Sequence, residues 1–129
     1  MIDPPSLSIA VIAIDDRLYR RLPRETVRNG KVSRGAYYFR GEPDPSVSVD
    51  LARLTTPEAV RLRTARPERF GVGELLARIP LELGLTVRPD PVADNPAHCL
   101  IEGANTKAIC QALADNTVVV LVPQDEKIG

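Results

Sequence analysis

Short apolar stretches separated by proline and glycine organise this chain. Ser8 to Ile14 holds the first, Ile9-Ala10-Val11-Ile12-Ala13-Ile14; it reads as a short strand, or as an apolar tail that docks on a partner, and Asp15-Asp16 ends it. Arg17 to Leu22 is a candidate strand that stops at Pro23. Asn29-Gly30 marks a turn, because both residues accept positive φ. Lys31 to Arg40 alternates and carries Tyr37-Tyr38-Phe39, which predicts a strand. After the loop Gly41 to Pro45, Ser46-Val47-Ser48-Val49-Asp50-Leu51 alternates polar with apolar residues, the pattern of a strand with one buried face.

The middle of the chain predicts smaller elements. Thr55-Thr56-Pro57-Glu58 is a helix start, with Thr55 and Glu58 spaced as a capping box and proline tolerated in the first turn. That helix should run to about Ala65, before Pro67, and its thin apolar face (Ala59, Val60, Leu62) should leave it exposed. Gly71 to Ala77 reads as a strand, Ile79 to Leu83 as a short helix capped by Gly84, and Leu85 to Arg88 as a strand ended by Pro89-Asp90-Pro91. Asp94-Asn95-Pro96 is a turn.

The last third has the clearest pattern. His98 to Glu102 predicts a strand, and Gly103-Ala104 a turn. Asn105 or Thr106 caps a helix through Asp115 that sets Ala108, Ile109, Ala112 and Leu113 on one face. Thr117 to Val122 is nearly uniformly apolar, as expected of a strand covered on both faces. The expected order is β-α-β, with the two strands parallel and the crossover right-handed. The predicted fold is α/β, with α+β as the alternative: one compact domain with a mixed sheet and two or three helices. Residues 17–123 form that domain, 1–16 a lead segment or edge strand, and 124–129 a polar tail.

Composition narrows the class. The 129 residues hold 43% apolar and only 4% aromatic residues, so the core must be aliphatic. No stretch approaches the roughly 20 apolar residues that span a bilayer. No basic residue precedes the first apolar run and no small-residue cleavage site follows it, so the expected address is the cytoplasm. Net charge is zero, but Arg17 to Arg40 has eight basic residues against Glu25, and Pro80 to Gly129 is net −4. Opposed charged ends can steer a partner or promote self-association; the alternative is a solvated face. Two cysteines, Cys99 and Cys110, are too few for a disulfide scaffold, and with one histidine they cannot complete a zinc site. No metal or cofactor is expected.

Four groups carry candidate chemistry. His98 is either an acid–base group or a ring that fixes the proline loop before it. Gly103 to Lys107 is either an anion site at a helix start, with Lys107 adding charge, or an ordinary capped turn. Arg20, Arg21, Arg24, Arg28 and Arg34 around the aromatic cluster are either a single-stranded nucleic-acid surface or solvated charges. Ser46 and Ser48 share one strand face without a nucleophile elbow around them.

Arg20-Arg21-Leu22-Pro23, Ser33 with Ala36 and Phe39, Ser48-Val49-Asp50, and Asn95-Pro96-Ala97-His98 with Gly103 and Lys107 resemble the motifs of an uncharacterised group of short bacterial proteins. The likeness covers about residues 17–123 and implies no activity. Arg20 or Arg21, Ser46-Val47-Ser48 and Glu102 also follow the order of ADP-ribosyltransferase-type domains, where such residues position NAD and support bond cleavage. The leading expectation is a small cytoplasmic binding or accessory module, part of a multi-protein bacterial system, with a protein partner or a second copy bound through Arg20, Arg21, Arg34, Asn95 and Lys107. The rival is an enzyme acting on a nucleotide or nucleic acid, with His98, Glu102 and Ser48 as catalytic groups.

Overall fold

A six-stranded sheet organises the chain, and its strand order does not follow the sequence. The computed structural model describes residues 11–40 and 45–124; the start of the expected first strand (8–10), most of the 41–45 loop and nearly all of the polar tail lie outside them. The strands are β1 (Arg17–Pro23), β2 (Val27–Arg28), β3 (Lys31–Val32), β4 (Ser46–Leu51), β5 (Phe70–Leu76), β6 (Thr86–Pro89), β7 (His98–Glu102) and β8 (Val118–Leu121). Three α-helices accompany them, α1 (Pro57–Leu62), α2 (Arg78–Glu82) and α3 (Lys107–Asp115). Sheet order is β6-β7-β4-β1-β5-β8, with β2 and β3 forming a separate hairpin. Helices and strands share one α/β body.

Every pairing within the large sheet is antiparallel. The β-α-β order of the last third is present, and β7 and β8 run in the same direction. They are not neighbours, because β4, β1 and β5 lie between them. The α3 crossover therefore spans most of the sheet's width.

Alternation along the strands gives the sheet two different faces. One carries Leu18 and Leu22, Val47, Val49 and Leu51, Leu75, and Cys99 and Ile101, all buried in the core. Over this face pack α3, through Cys110, Leu113 and Ala114, and a 3₁₀ turn at Arg34–Tyr37, through Ala36 and Tyr37. The other carries Tyr19, Arg21, Ser46, Ser48, Asp50, Glu74, His98 and Glu102 and is only partly covered.

Several local expectations are met and others corrected. Asn29 and Gly30 have φ of 54° and 75°, the paired left-handed turn of a tight hairpin. Thr106 caps α3 by accepting from the Ile109 amide at 3.2 Å. Thr56, rather than Thr55, caps α1, accepting from Ala59 at 3.1 Å. That helix ends at Leu62, short of Ala65, and buries Val60.

Lys31 to Arg40 is not one strand. β3 stops at Val32 and the 3₁₀ turn follows, which buries Tyr37 while Tyr38 stays exposed. β8 is not covered on both faces: it is an edge strand with Val118 65% exposed. Its register against β5 shifts between Val72 and Gly73. A Cβ on Gly71 would stand 2.5 Å from the Leu121 carbonyl oxygen, so glycine is what allows β8 this close.

Candidate functional site

Neighbouring strands align one polar row across the sheet. Val118 of β8 lies opposite Glu74, Glu74 opposite Tyr19, Tyr19 opposite Asp50, and Asp50 opposite His98. Directly opposed residues share a face. A cleft of about 110 Å³ opens in this row, lined by Tyr19, Arg21, Ser48, Asp50, Asn95 and His98, with Val60 of α1 beside them. Arg20 and Val49 also border it, but their side chains leave from the core face, so they meet it through the main chain.

Asp50 is the buried charge of the site, 5% exposed. Among the described residues its one hydrogen bond comes from Asn95 Nδ2 at 2.9 Å. Asn95 is itself buried, and its side-chain oxygen accepts the Ala97 amide at 3.2 Å. The Asp94-Asn95-Pro96 turn thus closes over the end of β4 and braces the carboxylate. Burial lowers the Arg21 pKa from its ordinary value; the Asp50 charge opposes this and Arg63 adds to it. Arg21 also lies over the Phe70 ring, 5.9 Å from its centroid.

His98 stands at the rim. Its Nδ1 lies 3.0 Å from both the main-chain oxygen and the carboxylate Oδ2 of Asp90. Both partners are acceptors, so the geometry assigns the proton to Nδ1 and leaves Nε2 with a lone pair when the ring is neutral. His98 therefore ties the proline loop down through Nδ1, and among the described residues Nε2 has no hydrogen bond to protein.

The expected site residues divide sharply. Arg21, Ser48, Asn95 and His98 meet at the cleft. Arg20, next to Arg21 in a strand, points the opposite way: its Nε donates to the Ala36 carbonyl at 2.9 Å and an Nη to the Ser48 carbonyl at 2.9 Å. It lies over the Tyr37 ring, 6.0 Å from the centroid, and burial lowers its pKa. Its charge fastens the 3₁₀ turn to the sheet.

Glu102 is four residues along β7 from His98, roughly 13 Å at strand spacing. A fork of bonds from Arg88, at 3.0 and 3.1 Å, holds it and keeps its pKa low. Arg34 and Lys107 are exposed on the 3₁₀ turn and the first turn of α3, away from the cleft. Asp50, Tyr19 and Asp90 are the additions of the structure. Asp50 had a signal, the Ser46-Ser48-Asp50 alternation; Asp90 had none, since only folding brings it to the ring.

Burial raises the pKa of both cysteines, that of Cys99 to about 11, so neither is a ready nucleophile. Among the described residues, no three of the His, Cys, Asp and Glu side chains group as metal ligands. Nor, among the described residues, is any helix long and apolar enough to cross a membrane. A wider, shallow hollow of about 600 Å³ runs along the β2–β3 hairpin past Glu25, Arg28, Asn29 and Lys31. None of the buried polar residues, Asp50, Asn95 and Thr117, lines it. No family model matches the chain, and neither a curated protein nor a solved structure is similar to it.

Proposed function

We propose that the protein is a binding module that holds an amide-bearing segment of a protein partner on the polar face of its sheet, anchored at the Asp50–His98 cleft. The observation that carries this reading is the makeup of the cleft. A buried carboxylate accepts, Arg21 donates, and the Ser48 hydroxyl does either, which suits a group that offers both N–H and C=O. Size supports it too: about 110 Å³ takes one such group, whereas small-molecule and cofactor pockets run to roughly 300 Å³ and more. Free, buried Cys99 and Cys110 suit a reducing compartment, so the reading places the module in the cytoplasm.

The test is an NMR titration with a capped dipeptide, N-acetylalanine methylamide. Saturating shifts at Ser48, Asp50, Asn95 and His98, weakened in Arg21→Ala, are the expected result. Flat signals at those residues would overturn the reading.

One observation favours a second reading. Asp90 orients His98 as a carboxylate orients a general base, and Nε2 faces no protein partner among the described residues. An enzyme on nucleotides or nucleic acid would then use His98 with Arg21 and Ser48, without Glu102. Turnover of NAD, a nucleotide or RNA that disappears in His98→Ala would favour it over the binding module.

A further inference from the structure

Asp50 and His98 offer two acceptors to one cleft. Asn95 donates to Oδ1 of Asp50; among the described residues no hydrogen bond reaches Oδ2, although the side chain is buried. A buried acceptor left without a donor is costly, and the cleft opens against this one. Strand order sets β7 between β6 and β4, so His98 has Asp90, just beyond β6, on one side and Asp50 on the other. Its Nδ1 turns to Asp90. The two nitrogens leave an imidazole on nearly opposite sides, so the Nε2 lone pair points away from Asp90, on the side of Asp50.

Donors and charge narrow the ligand further. Arg21 makes one long bond, 3.5 Å from Nη1 to the Val60 carbonyl, and lies over the Phe70 ring. A guanidinium carries five N–H donors, so Arg21 can also donate to a ligand, as can the exposed Ser48 hydroxyl. The Asp50 carboxylate repels an anionic side chain and Arg21 a cationic one, so the cleft suits a neutral group. Two acceptors call for two N–H groups, and the donors call for a carbonyl. A main-chain amide has a single N–H; a primary carboxamide has the full set.

We propose that the cleft takes the side-chain carboxamide of a glutamine or asparagine in the protein partner. The proposal rests on the binding-module reading and names the amide. The NH2 group donates to Asp50 Oδ2 and His98 Nε2, and the carbonyl accepts from Arg21 or Ser48. Directly opposed strand residues stand roughly 5 Å apart at Cβ, so the two acceptors can converge on one nitrogen. Nicotinamide carries the same group on a ring, but a cleft of about 110 Å³ that takes the carboxamide leaves little space for the ring.

NMR titration of the full chain with capped residues tests this. N-acetylglutamine methylamide should bind at the cleft at least tenfold more tightly than N-acetylmethionine methylamide, which has similar length and no carboxamide, or N-acetylglutamate methylamide, which brings a second carboxylate to Asp50. His98→Phe keeps a ring without an acceptor and should narrow the glutamine-to-methionine gap at least threefold, with circular dichroism checking its fold. The wild-type comparison decides even where that variant does not fold. Equal affinity for the glutamine and methionine probes would overturn the carboxamide and leave the binding module standing. Flat signals with every probe, N-acetylalanine methylamide included, would remove both. Nicotinamide binding more tightly than the glutamine probe would overturn the protein partner as the source of the group.

Discussion

Tyr37 and Thr117, eighty residues apart in the chain, share a buried hydrogen bond of 2.7 Å. Thr117 in turn donates to the Leu113 carbonyl at 2.7 Å, so the phenol supplies the proton of the longer-range bond. One contact thereby joins the 3₁₀ turn, the end of α3 and the start of β8. Removing the phenol oxygen with Tyr37→Phe should cost about 1 kcal/mol, the usual net worth of such a bond. Thr117→Val should cost more, about 1–3 kcal/mol, because it strands a buried hydroxyl. Urea unfolding of both variants checks the order.

The same tyrosine predicts alkaline behaviour. Burial pushes its pKa up to about 12 from 10.0, with the Thr117 bond and the Arg20 charge opposing. The folded state thus holds the phenol proton more tightly than the unfolded state. Stability from this group is complete below pH 10 and is lost as pH rises toward about 12. The loss should approach about 2–3 kcal/mol. Tyr37→Phe should flatten that part of a stability–pH curve, measured by denaturant unfolding at each pH.

Arg20 and Arg21 are adjacent but should answer differently to mutation. Arg20→Ala frees the Ala36 and Ser48 carbonyls that its guanidinium now binds and should destabilise by about 2–4 kcal/mol. Arg21→Ala should cost about 1 kcal/mol or less, yet alter binding at the cleft. Melting curves and the dipeptide titration separate the two roles. If Arg20→Ala left stability unchanged, the fastening role would be wrong.

Asn95→Ala removes the bond to the buried Asp50 carboxylate and should cost about 1–3 kcal/mol. Asn95→Asp puts a second carboxylate against the first. One of the pair must then hold a proton in the fold, so this variant should gain stability as pH falls into the mildly acidic range. Thermal melts at neutral and mildly acidic pH give the comparison.

Gly71→Ala should detach β8 from β5, because the new methyl carbon would start 2.5 Å from the Leu121 carbonyl oxygen. Faster amide exchange at residues 118–121 and a lower melting temperature are expected. Unchanged exchange would mean that the strand can shift at little cost.

Much of this was legible in the chain. Ser46–Leu51 and His98–Glu102 have the strand bounds that alternation predicts, because a half-buried strand repeats every second residue. Thr106 and Asn29-Gly30 read correctly because capping and left-handed turns depend on the residues themselves. Lys31 to Arg40 misled, since alternating aromatics also suit a 3₁₀ turn that buries Tyr37 and leaves Tyr38 in solvent. Uniform valines in β8 misled as well, because composition does not say whether a strand is central or at an edge.

The sequence alone determined the strands Ser46–Leu51 and His98–Glu102, the Asn29-Gly30 turn and the Thr106 cap, since caps, turns and alternation act over a few residues. Only the tertiary structure decided that β4 lies between β1 and β7, and hence that Asp50 meets His98 while Glu102 falls to Arg88. Strand order and register are set by how the whole apolar face is buried at once. No local stretch of chain carries that information.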